Sequence, residues 1–237
     1  MARDRQHLPH VFHSLTAAMQ LSKWSYRADF VVYPLLVALA VWLLWAHATR
    51  LQAQAGVAAM AFGWLCWTGI EYSLHRWLLH RLQPFKRLHD AHHANPSAYI
   101  GTPTWLSAPL FLGVWAALAA ELPHALAAGF AGGLMLGYLL YALVHDAVHH
   151  RRAKPGSWLH HAKLRHARHH RLGARTDFGV STGGWDRRFA TVSAPPRMAS
   201  PEAAAALRGK CVTTSRVLHS TDCGNEKCHK SSLSRGA

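Results

Sequence analysis

Charged side chains are missing from long parts of this 237-residue chain. Four segments contain no Asp, Glu, Lys or Arg, namely residues 30–49, 51–70, 91–120 and 122–145. A helix needs about 20 predominantly apolar residues to cross the hydrocarbon core of a bilayer. This lack of charge argues against a water-soluble protein. It predicts four membrane spans, the third running from about Trp105 to Ala120 and the fourth covering Ala125–Val144.

Acidic residues are scarce too, with 11 Asp and Glu against 26 Lys and Arg. The basic residues precede the first predicted span or follow the second and fourth. The link between the first two spans holds only Arg50, and the link between the last two holds none. The positive-inside rule therefore puts both termini and the 75–104 loop in the cytoplasm. No nucleic-acid recognition motif accompanies the high charge, so no nucleic-acid partner is expected.

Cysteine is equally rare, and none of the four cysteines lies in the histidine-rich segments. The sequence therefore predicts neither a disulfide framework nor a cysteine-based structural zinc site. Apolar periodicity is also lacking after the last basic segment, which favours disorder there. Three regions are predicted: a cytoplasmic lead-in at 1–29, a membrane domain at 30–192 and a disordered tail at 193–237.

Histidine, by contrast, is abundant, with 20 residues, 11 of which lie in four clusters. The clusters read "HRWLLH" at 75–80, "HDAHH" at 89–93, "HDAVHH" at 145–150 and "HARHH" at 166–170. Spacings of three and four residues put side chains on one face of a helix. The predicted topology brings all four clusters to the same side of the membrane, just beyond the second and fourth spans.

So many imidazoles on one side of the membrane suggest a metal site. Neutral imidazole binds iron, zinc, copper and nickel, and the number of side chains is enough for two metal ions. The candidate ligands are His75, His80, His89, His92, His93, His145, His149, His166, His169 and His170. Two interpretations stay open for His150, His160 and His161, which are either hydrogen-bond partners of ligands or surface residues. Carboxylates that could orient the imidazoles are those of Asp90, Asp146 and Asp177.

Two segments carry a family resemblance: "GYLLYALVHDAVHHR" and "LRHARHHRLGARTDFGVSTGGWDRRFATV". Over residues 30–192 the chain resembles the membrane fatty acid hydroxylase superfamily, which includes fatty acid 2-hydroxylases, sterol desaturases and carotenoid ring hydroxylases. The resemblance implies an all-α fold, a four-span helical membrane bundle capped by a cytoplasmic, histidine-rich helical region. It implies a dimetal centre held by the ten histidines above, with no catalytic side chain beyond these ligands. The implied cofactors are two iron ions, which zinc can replace, and O2.

The function that the resemblance implies is hydroxylation of a lipid acyl chain at or near C2. Because the sequence shows no cytochrome b5-like heme domain, the electrons are expected from a separate donor such as cytochrome b5 or ferredoxin. A carotenoid ring hydroxylase and a sterol-type desaturase or oxidase are alternatives with the same metal centre. A metal-binding transporter is the non-enzyme alternative, although transporters place polar ligands within their spans. Trp64, Trp67, Phe111 and Trp115 are expected either to line an acyl channel or to pack against lipid and neighbouring helices.

Overall fold

A computed structural model describes residues 21–46, 48–173 and 175–194. Those residues contain helices and no β-strand, which confirms the all-α prediction for this part of the chain. The helices are α1 Lys23–Arg27, α2 Asp29–Ala46, α3 Arg50–Ser73, α4 Phe85–Ala94, α5 Thr104–Glu121, α6 His124–His150, α7 Trp158–Leu172 and α8 Gly184–Arg188. Most of the predicted lead-in and tail lies outside the described residues, so the predicted domain boundaries stay predictions.

Three helical segments are long and apolar enough to cross a bilayer. They are Lys23–Ala46, which joins α1 and α2, then α5 and α6. They indicate a membrane-associated protein. The second predicted span corresponds to α3, which has 24 residues but a more polar composition that includes Gln52 and Gln54. The fourth span therefore stays a prediction.

Helices α3 and α6 pack side by side along most of their length. Their backbones approach closely. A Cβ atom added to Gly129 would lie only 2.1 Å from the Gly56 carbonyl oxygen, and one added to Gly133 would lie 2.0 Å from that of Met60. Small residues permit such close contact between membrane helices. Further along, Gly137 meets Trp67. Residue numbers rise together on the two helices, which therefore run in the same direction and end on the same side.

Helix α3 continues directly into one turn of π-helix, Leu74–Leu79. A π-helix forms its hydrogen bonds between residues five apart and occurs often at functional sites. His75 and His80 are five residues apart, and their rings stack with centroids 5.2 Å apart and planes inclined by 23°. In a regular α-helix, residues five apart do not share a face as those three or four apart do. The π turn thus brings this pair together.

The core between α2, α3 and α6 combines the aromatic residues Tyr33, Trp67 and Tyr138 with aliphatic side chains, and Phe111 of α5 packs against it. The Trp67 ring lies 5.6 Å from Phe111 and 5.3 Å from Tyr138, measured between centroids. Trp67 is buried, whereas Trp64 is 43% exposed. None of the four aromatic residues proposed for an acyl channel lines the main cavity, a space of about 450 Å³ beside His75, His89, His92 and His145. The alternative interpretation, packing against lipid and neighbouring helices, fits them better.

Candidate metal centre

The candidate ligands come from four helical segments that end or begin on one side of the bundle. The π turn carries His75, and His80 follows it directly; α4 carries the second cluster, the end of α6 the third, and α7 the fourth. Ser157 caps the start of α7 by accepting a hydrogen bond from the His160 amide. The regular α4 and α7 helices therefore present their histidines at spacings of three and four, as predicted.

Nine of the ten candidate histidines fall into two groups that could each hold a metal ion. Within each group, one ring nitrogen per residue lies within 4.8 Å of all the others. The first group contains His75, His80, His89, His93 and His169. The second group contains His92, His149, His166 and His170. Helices α4 and α7 each contribute to both groups.

His145 lies beside the second group without joining it. Its ring centroid is 4.8 Å from that of His92 and 4.7 Å from that of His149. On its other side, its ring stacks on Tyr141 at 5.6 Å. Its assignment as a ligand stays a prediction, as does each of the other nine.

The first group presents unprotonated nitrogens to a common centre. His75 Nδ1 lies 2.5 Å from the Phe178 carbonyl oxygen, and His169 Nδ1 lies 2.9 Å from that of Thr176. A carbonyl only accepts hydrogen bonds, so each Nδ1 carries the proton and each neutral ring keeps a lone pair on Nε2. Those Nε2 atoms lie 3.0 Å from Nε2 of His89 and His80 respectively. Hydrogen bonds among the imidazoles cannot satisfy all of these nitrogens together.

A cation fits this arrangement. Nitrogens bound to one ion at about 2.1 Å lie about 3.0 Å apart when they subtend a right angle, and the Nε2 contacts in the first group are 3.0–3.1 Å long. In the second group, both ring nitrogens of His92 are buried and lack a hydrogen-bond partner among the described residues. Buried polar atoms of native proteins are rarely left unpaired. The donor set, imidazole alone, suits iron or zinc.

The protein keeps these imidazoles neutral, as metal ligands must be. Burial, followed by the charges of neighbouring histidines, lowers the pKa of His80 to about 3 and that of His170 to about 3. The same causes lower the pKa of His92 to about 2. Burial also lowers the pKa of His169, although its bond to Thr176 opposes the shift. Protons therefore compete little for these nitrogens near neutral pH.

The segment after α7 contacts His75 and His169 of the first group, and two buried carboxylates bind this segment in turn. The amides of Phe178 and Gly179 both donate to Asp186, at 2.8 Å each. The amides of Val180 and Ser181 donate to Glu71, at 2.7 and 2.9 Å. Both carboxylates are buried. They fix the backbone whose Phe178 carbonyl orients His75.

The three carboxylates predicted to orient imidazoles are engaged elsewhere. Asp90 pairs with Lys86 at 2.6 Å, Asp146 with Arg151 at 3.5 Å and Asp177 with Arg168 at 3.3 Å. Backbone carbonyls take the orienting role instead. The reason is local: each carboxylate lies within reach of a basic side chain, whereas the carbonyls of Thr176 and Phe178 face the rings.

The three histidines with an open role lie outside the two groups. The His150 ring lies 5.7 Å from Tyr99 and 6.3 Å from Tyr26. His160 and His161 contact each other in the first turn of α7. These positions favour the interpretation of all three as surface residues.

A cavity of about 450 Å³ reaches the histidines from the side of the helical bundle. His75, His89, His92 and His145 form part of its wall. Most of the remaining lining is apolar and includes Leu79, Phe85, Leu88, Ile100, Leu106 and Tyr141. An apolar cavity with a few polar groups is the usual form of a small-molecule site. Its walls suit a hydrocarbon chain.

Fold and site together define an all-helical, membrane-associated protein in which two imidazole groups face an apolar cavity. The fatty acid hydroxylase family model matches residues 60–191, more than half of the chain. The chain belongs to the fatty acid hydroxylase family, which confirms the resemblance.

Curated proteins with similar sequences are named as fatty acid or fatty acyl 2-hydroxylases. Fatty acid 2-hydroxylase of Rattus norvegicus is 34% identical over 158 residues, covering 60% of this chain and 42% of that protein. A dihydroceramide fatty acyl 2-hydroxylase of Arabidopsis thaliana is 31% identical, covering 56% of this chain and 60% of its own length. The chain thus spans less than two thirds of these curated relatives.

A solved structure of full-length scs7p, in which only the hydroxylase domain is visible, superposes with a TM-score of 0.62. Its sequence is 26% identical, and the match covers 75% of this chain and 69% of that one.

The roles of two buried carboxylates could not be predicted from the sequence. Glu71 and Asp186 act on backbone amides, and the sequence gives no sign of which amides those are. The quoted segment "FGVSTGGWDRRFATV" did contain Asp186 and the Phe178 carbonyl, so the resemblance marked the right region without assigning roles.

Proposed function

We propose that this protein is a membrane-bound oxygenase that hydroxylates the acyl chain of a lipid at or near C2. The observation that carries the proposal is the juxtaposition of two imidazole groups with an apolar cavity, in a chain of the fatty acid hydroxylase family. The relatives named above as fatty acid 2-hydroxylases favour this carbon. They favour an acyl lipid over the carotenoid and sterol alternatives.

The two histidine groups would each hold one ion, with His145 completing the second. A pair of iron ions supplies, when bound, the oxidising power needed to attack an unactivated C–H bond with O2. Zinc binds such sites at least as well as ferrous iron, so a zinc-loaded form is expected to be inactive. The protein's own part is to hold the imidazoles neutral, orient them and position the chain.

Positioning follows from the cavity. The apolar side chains of Leu79, Phe85, Leu88 and Leu106 exclude water from the acyl chain and line its path to the histidines. A chain held in this way presents a fixed carbon, which converts a collision into an oriented encounter. Tyr141, stacked on His145, forms part of the wall closest to the second group.

The proposed topology has four spans, with the histidines and both termini in the cytoplasm. The parallel packing of α3 along α6 supports the fourth span, because a helix in close backbone contact with a spanning helix shares its environment. The exposed basic residues Arg151, Arg152 and Lys154 follow α6 directly. They support a cytoplasmic position and offer a surface that an acidic electron donor, such as a cytochrome b5 or a ferredoxin, would match.

The test is expression of the full chain with a compatible reductase and donor in a lipid-producing host under oxygen-18. Labelled 2-hydroxy acyl lipids, absent from a matched His92→Ala strain, are the expected result. Labelled carotenoids, or a new double bond without label, would transfer the assignment to the corresponding alternative. Metal uptake without any oxidised lipid would favour the transporter.

A further inference from the structure

One carboxyl group stands among the residues that line the main cavity. It belongs to Asp29, the first residue of α2, which is 8% exposed. No lysine or arginine lines the cavity, and Asp29 forms no ion pair within the part of the chain that the structure describes. A buried carboxyl beside an apolar cavity costs free energy unless its oxygens are hydrogen-bonded. Its position therefore calls for a physical reason.

Two hydroxyl groups hold the Asp29 carboxyl in a fixed orientation. Thr104 Oγ1 donates to Oδ1 at 2.5 Å, and Tyr138 OH donates to Oδ2 at 2.6 Å. A carboxylate has about four lone-pair sites, so each oxygen keeps capacity for another donor. Thr104 begins α5 and Tyr138 lies within α6, so three helices fix the group. The result is a preoriented acceptor at the cavity wall.

Tyr138, which holds the Asp29 carboxyl, lies on the same helix as His145, and this fixes the distance between the acceptor and the histidines. Tyr138 precedes His145 by seven residues, which places them about 10 Å apart along the helix axis. Tyr141 lies between them, with its ring 6.2 Å from Tyr138 and 5.6 Å from His145. All three line the same cavity. One ligand can therefore contact the Asp29 acceptor and the histidine wall together.

That separation suits a particular kind of lipid head. In an N-acylated amino alcohol, five bonds join each hydroxyl oxygen on a carbon next to the amide-bearing carbon to C2 of the acyl chain. Three bonds across a trans amide span about 3.8 Å, so five span roughly 6 Å. A hydroxyl on Asp29 would then leave C2 close to the histidines. An ionised fatty acid would instead bring a carboxylate towards the Asp29 oxygens, and a carboxylate has no N–H or O–H to donate to them.

We propose that Asp29, held by Thr104 and Tyr138, is a head-group subsite that accepts a hydrogen bond from a hydroxyl or amide N–H of the substrate and disfavours an ionised carboxylate. The subsite rests on the proposed function, because it assigns a polar end to the lipid whose chain meets the histidines. It makes Asp29 a specificity-determining residue. The chemistry selected is a neutral N-acylated amino alcohol over a free fatty acid.

Equilibrium binding tests the subsite without requiring turnover. The probes are N-hexadecanoyl-2-amino-1,3-octadecanediol and hexadecanoic acid, each titrated at pH 8 against the full chain in neutral-lipid nanodiscs. The measured quantity is the ratio of their two Kd values. In Asp29→Ala the preference for the amide lipid is expected to fall by about tenfold, since the hydrogen bond to the fixed carboxyl is lost. Asp29→Asn keeps one acceptor oxygen and adds an N–H donor, so fatty acid binding should tighten.

Glu121→Gln is the matched control, because Glu121 is an exposed carboxylate at the other end of α5. Its ratio should equal that of the unmodified chain, and metal content should be the same in all variants. An unchanged ratio in Asp29→Ala would overturn the subsite, and so would an equal loss of both ligands. If the unmodified chain binds the amide lipid selectively through Asp29 yet yields no hydroxylated product with iron, donor and O2, the proposed function fails and the subsite stands.

Discussion

Replacing Asp186 by Asn tests whether the segment behind the first histidine group controls metal binding. The Asp186 carboxylate is 1% exposed and accepts from the Phe178 amide, the Gly179 amide and the Thr191 hydroxyl, all at 2.8 Å. An Asn side chain offers only one oxygen, so one of the two amides would face an NH2 group. Phe178 also supplies the carbonyl that orients His75. The substitution therefore disturbs the candidate ligand His75 without touching it.

The magnitude follows from the bonds lost. A buried donor left without a partner costs about 1–3 kcal/mol, and the surviving bond weakens because its acceptor is no longer charged. We expect the 178–179 backbone to be destabilised by roughly 2–4 kcal/mol. Loss of an outer partner of a metal-bound histidine typically lowers metal affinity about 10–100-fold. The Asp186→Asn protein should therefore keep its helices and lose affinity in the first group.

Two measurements check this together. Amide hydrogen exchange should speed up at Phe178 and Gly179, and metal retention against a chelator should fall, with one ion lost before the other. Glu121→Gln, an exposed acid-to-amide change, should alter neither. Faster exchange with unchanged metal affinity would show that the segment does not orient His75. No change in exchange would refute the hydrogen-bond assignment itself.

Three further predictions concern the ligands, the helix packing and pH. His169→Ala should lower the metal content and abolish activity, and full metal content measured by mass spectrometry would remove His169 from the proposed ligands. Gly133→Ala should destabilise the bundle by about 1–3 kcal/mol or more, because its Cβ would lie 2.0 Å from a carbonyl oxygen. Gly113→Ala is the control: a Cβ there meets nothing within 4 Å, so the thermal midpoint should stay unchanged or rise. Burial lowers the pKa of His80 to about 3 and of His93 to about 4, against 6.5 in the unfolded chain. Between these values the unfolded state binds more protons. The metal-free protein should therefore lose stability as the pH falls from 6.5 towards 4, and a flat denaturation profile over that range would contradict the burial of these rings.

The positions of most candidate ligands could be predicted because helix periodicity is a local property. His89, His92 and His93 share a face of any α-helix, whatever surrounds it. The uneven distribution of Lys and Arg between the loops predicted that these histidines lie on the same side of the membrane as those of α6 and α7. The parallel packing of α3 and α6 is consistent with that prediction. Division into two groups was not predictable, since neighbouring residues on α4 turn towards different partners.

Other features depend on contacts between distant residues, which spacing does not reveal. The π turn at 74–79 carries no residue signature, so the HxxxxH spacing gave no account of how its two rings meet. Glu71 binds amides more than 100 residues away along the chain. Asp29 lies before an apolar run and, in the sequence, is indistinguishable from an ordinary charged residue at the membrane boundary. Only the folded chain places it at the cavity.

Helices α4 and α7 each supply nitrogens to both histidine groups. Two bound cations would therefore act as two cross-links between the same pair of helices, and would also tie in the π turn and the end of α6. Cross-links that close long loops remove much of the freedom of the unfolded chain. Metal binding and folding would then become one equilibrium for the histidine-bearing helices, whereas the apolar helices pack without metal. The protein would be assembled in two stages, first a bundle stabilised by close backbone contact and then the histidine-bearing helices joined by metal.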